Sequence, residues 1–308
     1  MIAKLKSLRL RPIQIVTLGI LSMLAAAYAW VVSMVAPGAE TAQQFWPFSL
    51  VGIAGALVAN STGVGGGVVF VPVFALMRES GVLDLTPSAA VGVSFAIQCF
   101  GMTIGALTWA NRFYRRDVTP VEIAHRPIVR ELVVRSLLTG LPALLITQYI
   151  IRVDGDLAFL LFKLFSITLG ILLLVQVFIL RQPHSDREML ENFDRRAALA
   201  IGIAGGMATA LFSVGIGELL ALSLFLRRYP VDVSVASAVI VSAITVWLGV
   251  VFHLQADHLD WRVLVFAAPA VAIGGFLARR LAHALGAVRL KIMTAIWIIV
   301  SSGVLLII

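Results

Sequence analysis

The chain has 308 residues, 60% of them hydrophobic and 13% charged, with a mean hydropathy of +1.00. That balance excludes a soluble domain and describes a polytopic membrane protein built from helices. The net charge of +8 would suit nucleic acid, but most of the arginines flank apolar segments, where a topology signal belongs, so nucleic acid is excluded as a partner.

At the N-terminus, Lys4, Lys6, Arg9 and Arg11 precede the apolar run Ile13–Val35. The run is long enough to cross a bilayer and longer than a signal-peptide core, so it reads as a retained span. Residues 1–45 are then a cytoplasmic N-terminus plus one extra span. Next comes Trp46–Met77, interrupted by Asn60-Ser61-Thr62-Gly63-Val64-Gly65-Gly66-Gly67. Each glycine costs a helix interior about 1 kcal/mol against alanine, so four in five positions predict two short helices around an unwound joint. As one helix the arms would measure about 40 Å, against a hydrocarbon core of about 30 Å. A re-entrant hairpin fits better than one kinked span. Pro87–Ala110, Val129–Ile151 and Leu157–Leu180 read as full spans. Ala197–Leu226 is a second broken segment, with its joint at Ser213-Val214-Gly215-Ile216-Gly217. Asp232–His253, Trp261–Ala282 and Val288–Ile308 complete the set. The expected fold is therefore all-α, with seven full spans and two re-entrant helical hairpins.

Charge supports the same folding of the chain. The basic N-terminus is inside, and Ala36–Phe45, without Lys or Arg, is outside. Arg112, Arg115, Arg116 and Arg126 put the loop after Pro87–Ala110 inside, so Arg78–Thr86 is outside and the first broken segment returns to the face it entered. The arginines of 181–196 and Arg227-Arg228 place both ends of the second broken segment inside. The C-terminus falls outside, and the expected location is the cytoplasmic membrane of a bacterium.

The two broken segments align without gaps. Val51-Gly52-Ile53-Ala54-Gly55 matches Ile201-Gly202-Ile203-Ala204-Gly205, and downstream Leu141-Pro142-Ala143 matches Ala268-Pro269-Ala270. Each half, 46–180 and 181–308, is one hairpin plus three spans. Three is odd, so the halves insert with opposite topology. Inverted repeats with broken helices at matching positions are the sequence signature of a secondary transporter with its site near the midplane. Gly101-xxx-Gly105, by contrast, reads as close helix packing.

An unwound joint exposes backbone N–H groups, and the helix after it presents its positive dipole end, which together make an anion site. Gly63, Gly65, Gly66, Gly67, Gly215 and Gly217 supply the backbone. Asn60, Ser61, Thr62 and Ser213 carry short polar side chains that either donate to an anion or cap the helix ends. Gln98, a mid-span amide, either ties helices together or lines the path. Glu218 is the one carboxylate well inside an apolar segment, and intramembrane carboxylates are functional by default. It is a candidate to take a coupling H+ or Na+, or it caps its helix. No metal site is predicted from the single Cys99, and no cofactor motif is present. No HExxH, GxSxG or Walker lysine occurs, so an enzyme is a poor reading.

On Gly63-Val64-Gly65-Gly66-Gly67 with Pro72 in the following helix, and on Ala90-Val91-Gly92-Val93-Ser94, the chain resembles the TauE/SafE family of sulfite and organosulfonate transporters. Ser213-Val214-Gly215-Ile216-Gly217 and Val235-Ala236-Ser237-Ala238 are weaker copies of the two motifs. The resemblance runs over about residues 46–308. Ile216 stands where the family commonly has glycine, Glu218 follows it, and the first span lies outside the repeats. The resemblance implies movement of a small sulfur-containing anion, such as sulfite or sulfoacetate, between the two hairpin tips. A passive anion channel, or a carrier of another small carboxylate or oxyanion, is the alternative. Direction, coupling ion and oligomeric state, a homodimer included, stay open.

Overall fold

A computed structural model describes residues 12–35, 38–114, 118–151, 153–178, 187 and 189–307. The basic residues Lys4, Lys6, Arg9, Arg11, Arg115, Arg116 and Arg181, used above for orientation, lie outside these. The described chain is all-helical. In order the helices are α1 (Pro12–Ser33), α2 (Ala39–Phe45), α3 (Pro47–Thr62), α4 (Gly67–Glu79), α5 (Pro87–Arg112) and α6 (Pro120–Tyr149). They continue with α7 (Gly155–Phe178), α8 (Asn192–Phe212), α9 (Ile216–Leu226), α10 (Val231–Gln255) and α11 (Trp261–Ile307). Among the described residues, five helical segments are long and apolar enough to cross a membrane: Ile13–Ser33, Glu40–Thr62, Pro87–Arg112, Val231–Gln255 and Trp261–Gly286.

Local chemistry sets the boundaries. Proline at the first helical position starts α3, α5 and α6, where its missing N–H has no helical partner to lose. Thr86 caps α5 by accepting from the Ala89 N–H. Thr119 and Glu122 form a reciprocal capping box at the start of α6. That box starts the helix nine residues before the expected span start at Val129. α11 runs through both of the last expected spans and leaves helical geometry at Gly286, where φ is +74°. α2 and α3 together make the 23-residue Glu40–Thr62 segment, so the first arm is long enough to cross by itself. Arm length is therefore no argument for a hairpin. The fold-back has a better witness: a Cβ on Gly55 would meet the Phe70 ring at 2.7 Å. Fifteen residues of continuous helix would hold those positions about 22 Å apart.

The packing is reciprocal between the halves. α3 lies along α11, with Gly52 against Ala270 and Val271, and Gly274 against Ala56. α8 lies along α6, with Gly202 and Gly206 against Gly140. α5 and α10 pack on each other at the centre, α4 sits on α5, and α9 sits on α10. Gly101 and Gly105 bring α5 close to Gly275 of α11, the packing role expected of that pair. The most deeply buried side chains include Trp109, Phe70, Phe74, Phe95 and Ile216, around these crossings. The arginine-rich ends are tied by ion pairs: Glu131 with Arg195 at 2.8 Å, and Arg227 with Asp194 at 2.7 Å and Glu191 at 2.6 Å.

Candidate functional site

Both expected joints are unwound, and they meet. α3 ends at Gly63 with φ +77°, and α8 ends at Ser213 with φ +61°. Glycine adopts the left-handed conformation without cost, whereas serine there is uncommon and disfavoured. The two residues are the equivalent positions of the aligned segments. A Cβ on Gly67 would collide with the Ser213 carbonyl, so only glycine lets one tip backbone lie against the other.

Glu218 holds the tips together. It is 2% exposed and stands in the first turn of α9. Its Oε2 accepts from the Gly215 N–H of its own tip at 2.8 Å, and its Oε1 accepts from the Gly65 N–H of the other tip at 2.7 Å. One carboxylate thus accepts one hydrogen bond from each joint. Gln98, 2% exposed on α5, completes the bridge. Its Oε1 accepts from the Gly66 N–H at 2.9 Å, and its Nε2 donates to Ser213 Oγ at 2.7 Å. Gln98 thus ties α5 to both tips and lines the gap between them.

The other expected residues divide. Ser61 and Thr62 donate back to the Val58 carbonyl at 3.1 and 2.8 Å, and Thr62 Oγ1 accepts from the Val64 N–H at 3.2 Å. Both therefore close the end of α3, the capping alternative. Asn60 turns from the tip: its Nδ2 donates to the Ala56 carbonyl, its own carbonyl accepts from Trp109 Nε1, and its Oδ1 lies beside Gly105. Gly217 lies against Ser242. Three residues not singled out in the sequence join the site. Ser94 donates to Ser213 Oγ at 3.3 Å, Thr209 Oγ1 accepts from the Ile216 N–H at 3.1 Å, and Thr245 lines the gap between the tips. Ser94 ends the small-residue motif of α5, and Thr209 stands four residues before the second joint; both spacings were available as signals.

The enclosed space between the tips is about 10 Å³, lined by Gly65, Gln98, Ser213, Gly215, Glu218 and Thr245 among others. That is about one water at most. In this conformation the Glu218 carboxylate occupies the Gly65 and Gly215 N–H donors. Among the described residues no group of His, Cys, Asp and Glu is arranged to hold a metal ion.

A family model described as "Sulfite exporter TauE/SafE" matches residues 48–305. The chain matches no curated protein and no solved structure.

Proposed function

The chain belongs to the sulfite exporter TauE/SafE family, and from that premise we propose that it is a secondary transporter moving sulfite or a small organosulfonate through the contact between its two hairpin tips. Membership of a transporter family and the long apolar helices make it a transmembrane transport protein. The single observation that carries the finer reading is the bidentate seat of Glu218. Two backbone N–H groups, one from each joint, already hold two oxygens of one oxyanion. Two oxygens of a sulfite or sulfonate present the same acceptors. The substrate takes this seat when the carboxylate gives it up.

Protonation of Glu218 is the proposed release. A substrate anion and a carboxylate side by side in a low dielectric repel, whereas a neutral acid holds the backbone donors more weakly and donates a hydrogen bond itself. The halves 46–180 and 181–308 act as inverted repeats. Support comes from the exchange in packing, in which the first arm of each hairpin lies on the other half's proline-containing helix. A space of about 10 Å³ holds no oxyanion, which favours alternating access over an open channel.

Glu218→Gln tests the coupling. Flux of sulfite into proteoliposomes is measured across a pH series, alongside melting temperature. Glutamine has one acceptor oxygen for two N–H donors, so the variant should lose about 1–3 kcal/mol of stability. It should still carry sulfite, with the pH dependence reduced to that of sulfite's own protonation. An unchanged pH dependence would assign Glu218 to holding the tips only, and would turn the search for the coupling ion to Na+.

A further inference from the structure

Beyond the tips, a cavity of about 390 Å³ opens on the face that carries Pro87, Ile151 and His258. Val91 of α5, Gln148 of α6, Phe212 of α8 and His253 of α10 line it. Phe212 immediately precedes Ser213, so the cavity ends one side chain short of the hairpin contact. Two buried polar atoms of its lining residues have no hydrogen-bond partner among the described residues: Gln148 Oε1 and His253 Nε2. The residues are 9% and 3% exposed.

The character of these two atoms follows from their neighbours. Gln148 Nε2 donates to the Gly249 carbonyl at 3.1 Å, which leaves Oε1 as a bare acceptor. His253 Nδ1 and His258 Nδ1 are 3.2 Å apart, so one proton lies between them. Burial holds the His258 imidazole below its ordinary range. Two tautomeric arrangements fit this contact; in the one taken for the proposal the neutral His258 supplies the proton, so the His253 ring accepts at Nδ1 and carries its own proton on Nε2. The cavity then presents one unmet acceptor and one unmet donor. Leaving such groups buried and unpaired costs about 1–3 kcal/mol each, and a ligand that meets both recovers it.

A fully ionised oxyanion satisfies the donor and is repelled by the amide oxygen. An oxyanion that keeps one proton satisfies both. We infer that this cavity, set by Gln148 and His253, is a second binding site that takes a singly protonated oxyanion, hydrogen sulfite in a sulfite carrier. Its volume is within the range of small-molecule sites and leaves room for accompanying water. The identity of the ligand rests on the sulfite reading above; the position of the site does not involve the tip residues.

Calorimetric titration of the purified full chain at mildly acidic pH separates the two sites. Sulfite is the probe, with methanesulfonate, a monoanion lacking a proton, and sulfate as comparisons. Gly66→Val, which displaces Gln98 from the tips, should keep the cavity binding. In that background Gln148→Met, close in shape, and Val91→Phe, which puts a larger side chain into the cavity lining, should each weaken sulfite binding by about tenfold or more. Methanesulfonate and sulfate should bind more weakly by a similar factor. Melting temperatures identify any variant that fails to fold. Sulfite binding unaffected by both folded variants, absent from Gly66→Val while the wild type transports sulfite, or equalled by methanesulfonate, would overturn the cavity site and leave the tip reading standing. Wild-type sulfite transport by Gly66→Val would overturn the tip reading and leave the cavity.

Discussion

At the scale of single residues, the site turns on how backbone donors are satisfied. The Gly65 and Gly215 N–H groups are buried and must be paired, since an orphan costs about 1–3 kcal/mol. Glu218 pairs both, and Gln98 pairs Gly66. On the proposed reading, an anion that enters replaces those partners one for one, and the expected specificity is for a ligand with acceptor oxygens at carboxylate-like spacing. The glycines matter for approach more than for flexibility. A Cβ on Gly65 would strike Glu218 Oε1, and one on Gly66 would meet Gln98 Cγ and Phe70 Cε2, each at 2.8 Å. Gly65→Ala should therefore loosen the grip on Glu218 without touching the helices. Sulfite flux is expected to fall about tenfold, the equivalent of one lost hydrogen bond of this kind. Wild-type flux from Gly65→Ala would mean that the Gly65–Glu218 contact is incidental.

At the scale of elements, the first joint was legible because four glycines in five positions are more than a helix tolerates, whereas the pairs Gly205-Gly206 and Gly274-Gly275 stay helical and serve packing. α3 stops at Thr62 and α4 restarts at Gly67, as the glycine cluster requires, and α8 and α9 part at Ser213–Gly215. The carboxylate was legible as an anomaly, a charge in an apolar run. Its role as a bridge was not, because Glu218 and Gly65 lie 153 residues apart and only tertiary packing joins them. Ser94 and Thr209 are hard to single out because small hydroxyl residues are common in membrane helices; only their spacing, at the end of the small-residue motif and four residues before the second joint, marks them. The early start of α6 was written in Thr119-Pro120-Val121-Glu122, whose capping chemistry the charge count of that loop obscured. The base of the second hairpin makes its own prediction. The hydrogen bond from Arg187, followed by that from Arg227, holds the Glu191 carboxyl below its usual value. That stabilisation is present above the unfolded value of about 4.3 and is lost as pH falls through the depressed folded one. Arg227→Gln should accordingly lower the melting temperature at neutral pH, with the two proteins converging in acid. A difference independent of pH would assign the effect to packing on Phe193, over which the guanidinium lies at 4.9 Å.

At the scale of the whole molecule, the account needs each hairpin to return to the face it entered. Ser80 is exposed at the end of α4, and Cys99 is buried. Ser80→Cys in a Cys99→Ala background should react with an impermeant maleimide from outside the cell. Labelling only from the cytoplasmic side would make the first broken segment a true span and remove the inverted repeat. The cavity lined by Pro87, Gln148 and His258 and the ion-paired base of α8 and α9 involve different parts of the molecule. The claim on which all of this depends is that sulfite passes between the tips. Radiolabelled sulfite flux into proteoliposomes, comparing the wild type with Gly66→Val, tests it most directly, because a Cβ there meets Gln98 Cγ and the Phe70 ring at the tip itself, and melting temperature reports whether the fold is kept. Gly19→Val is the matched control, since a Cβ there meets nothing within 4 Å. The account predicts flux lost in Gly66→Val and kept in Gly19→Val, with both proteins melting as the wild type does to within about 1–3 kcal/mol of stability. Undiminished flux through a folded Gly66→Val protein would contradict it.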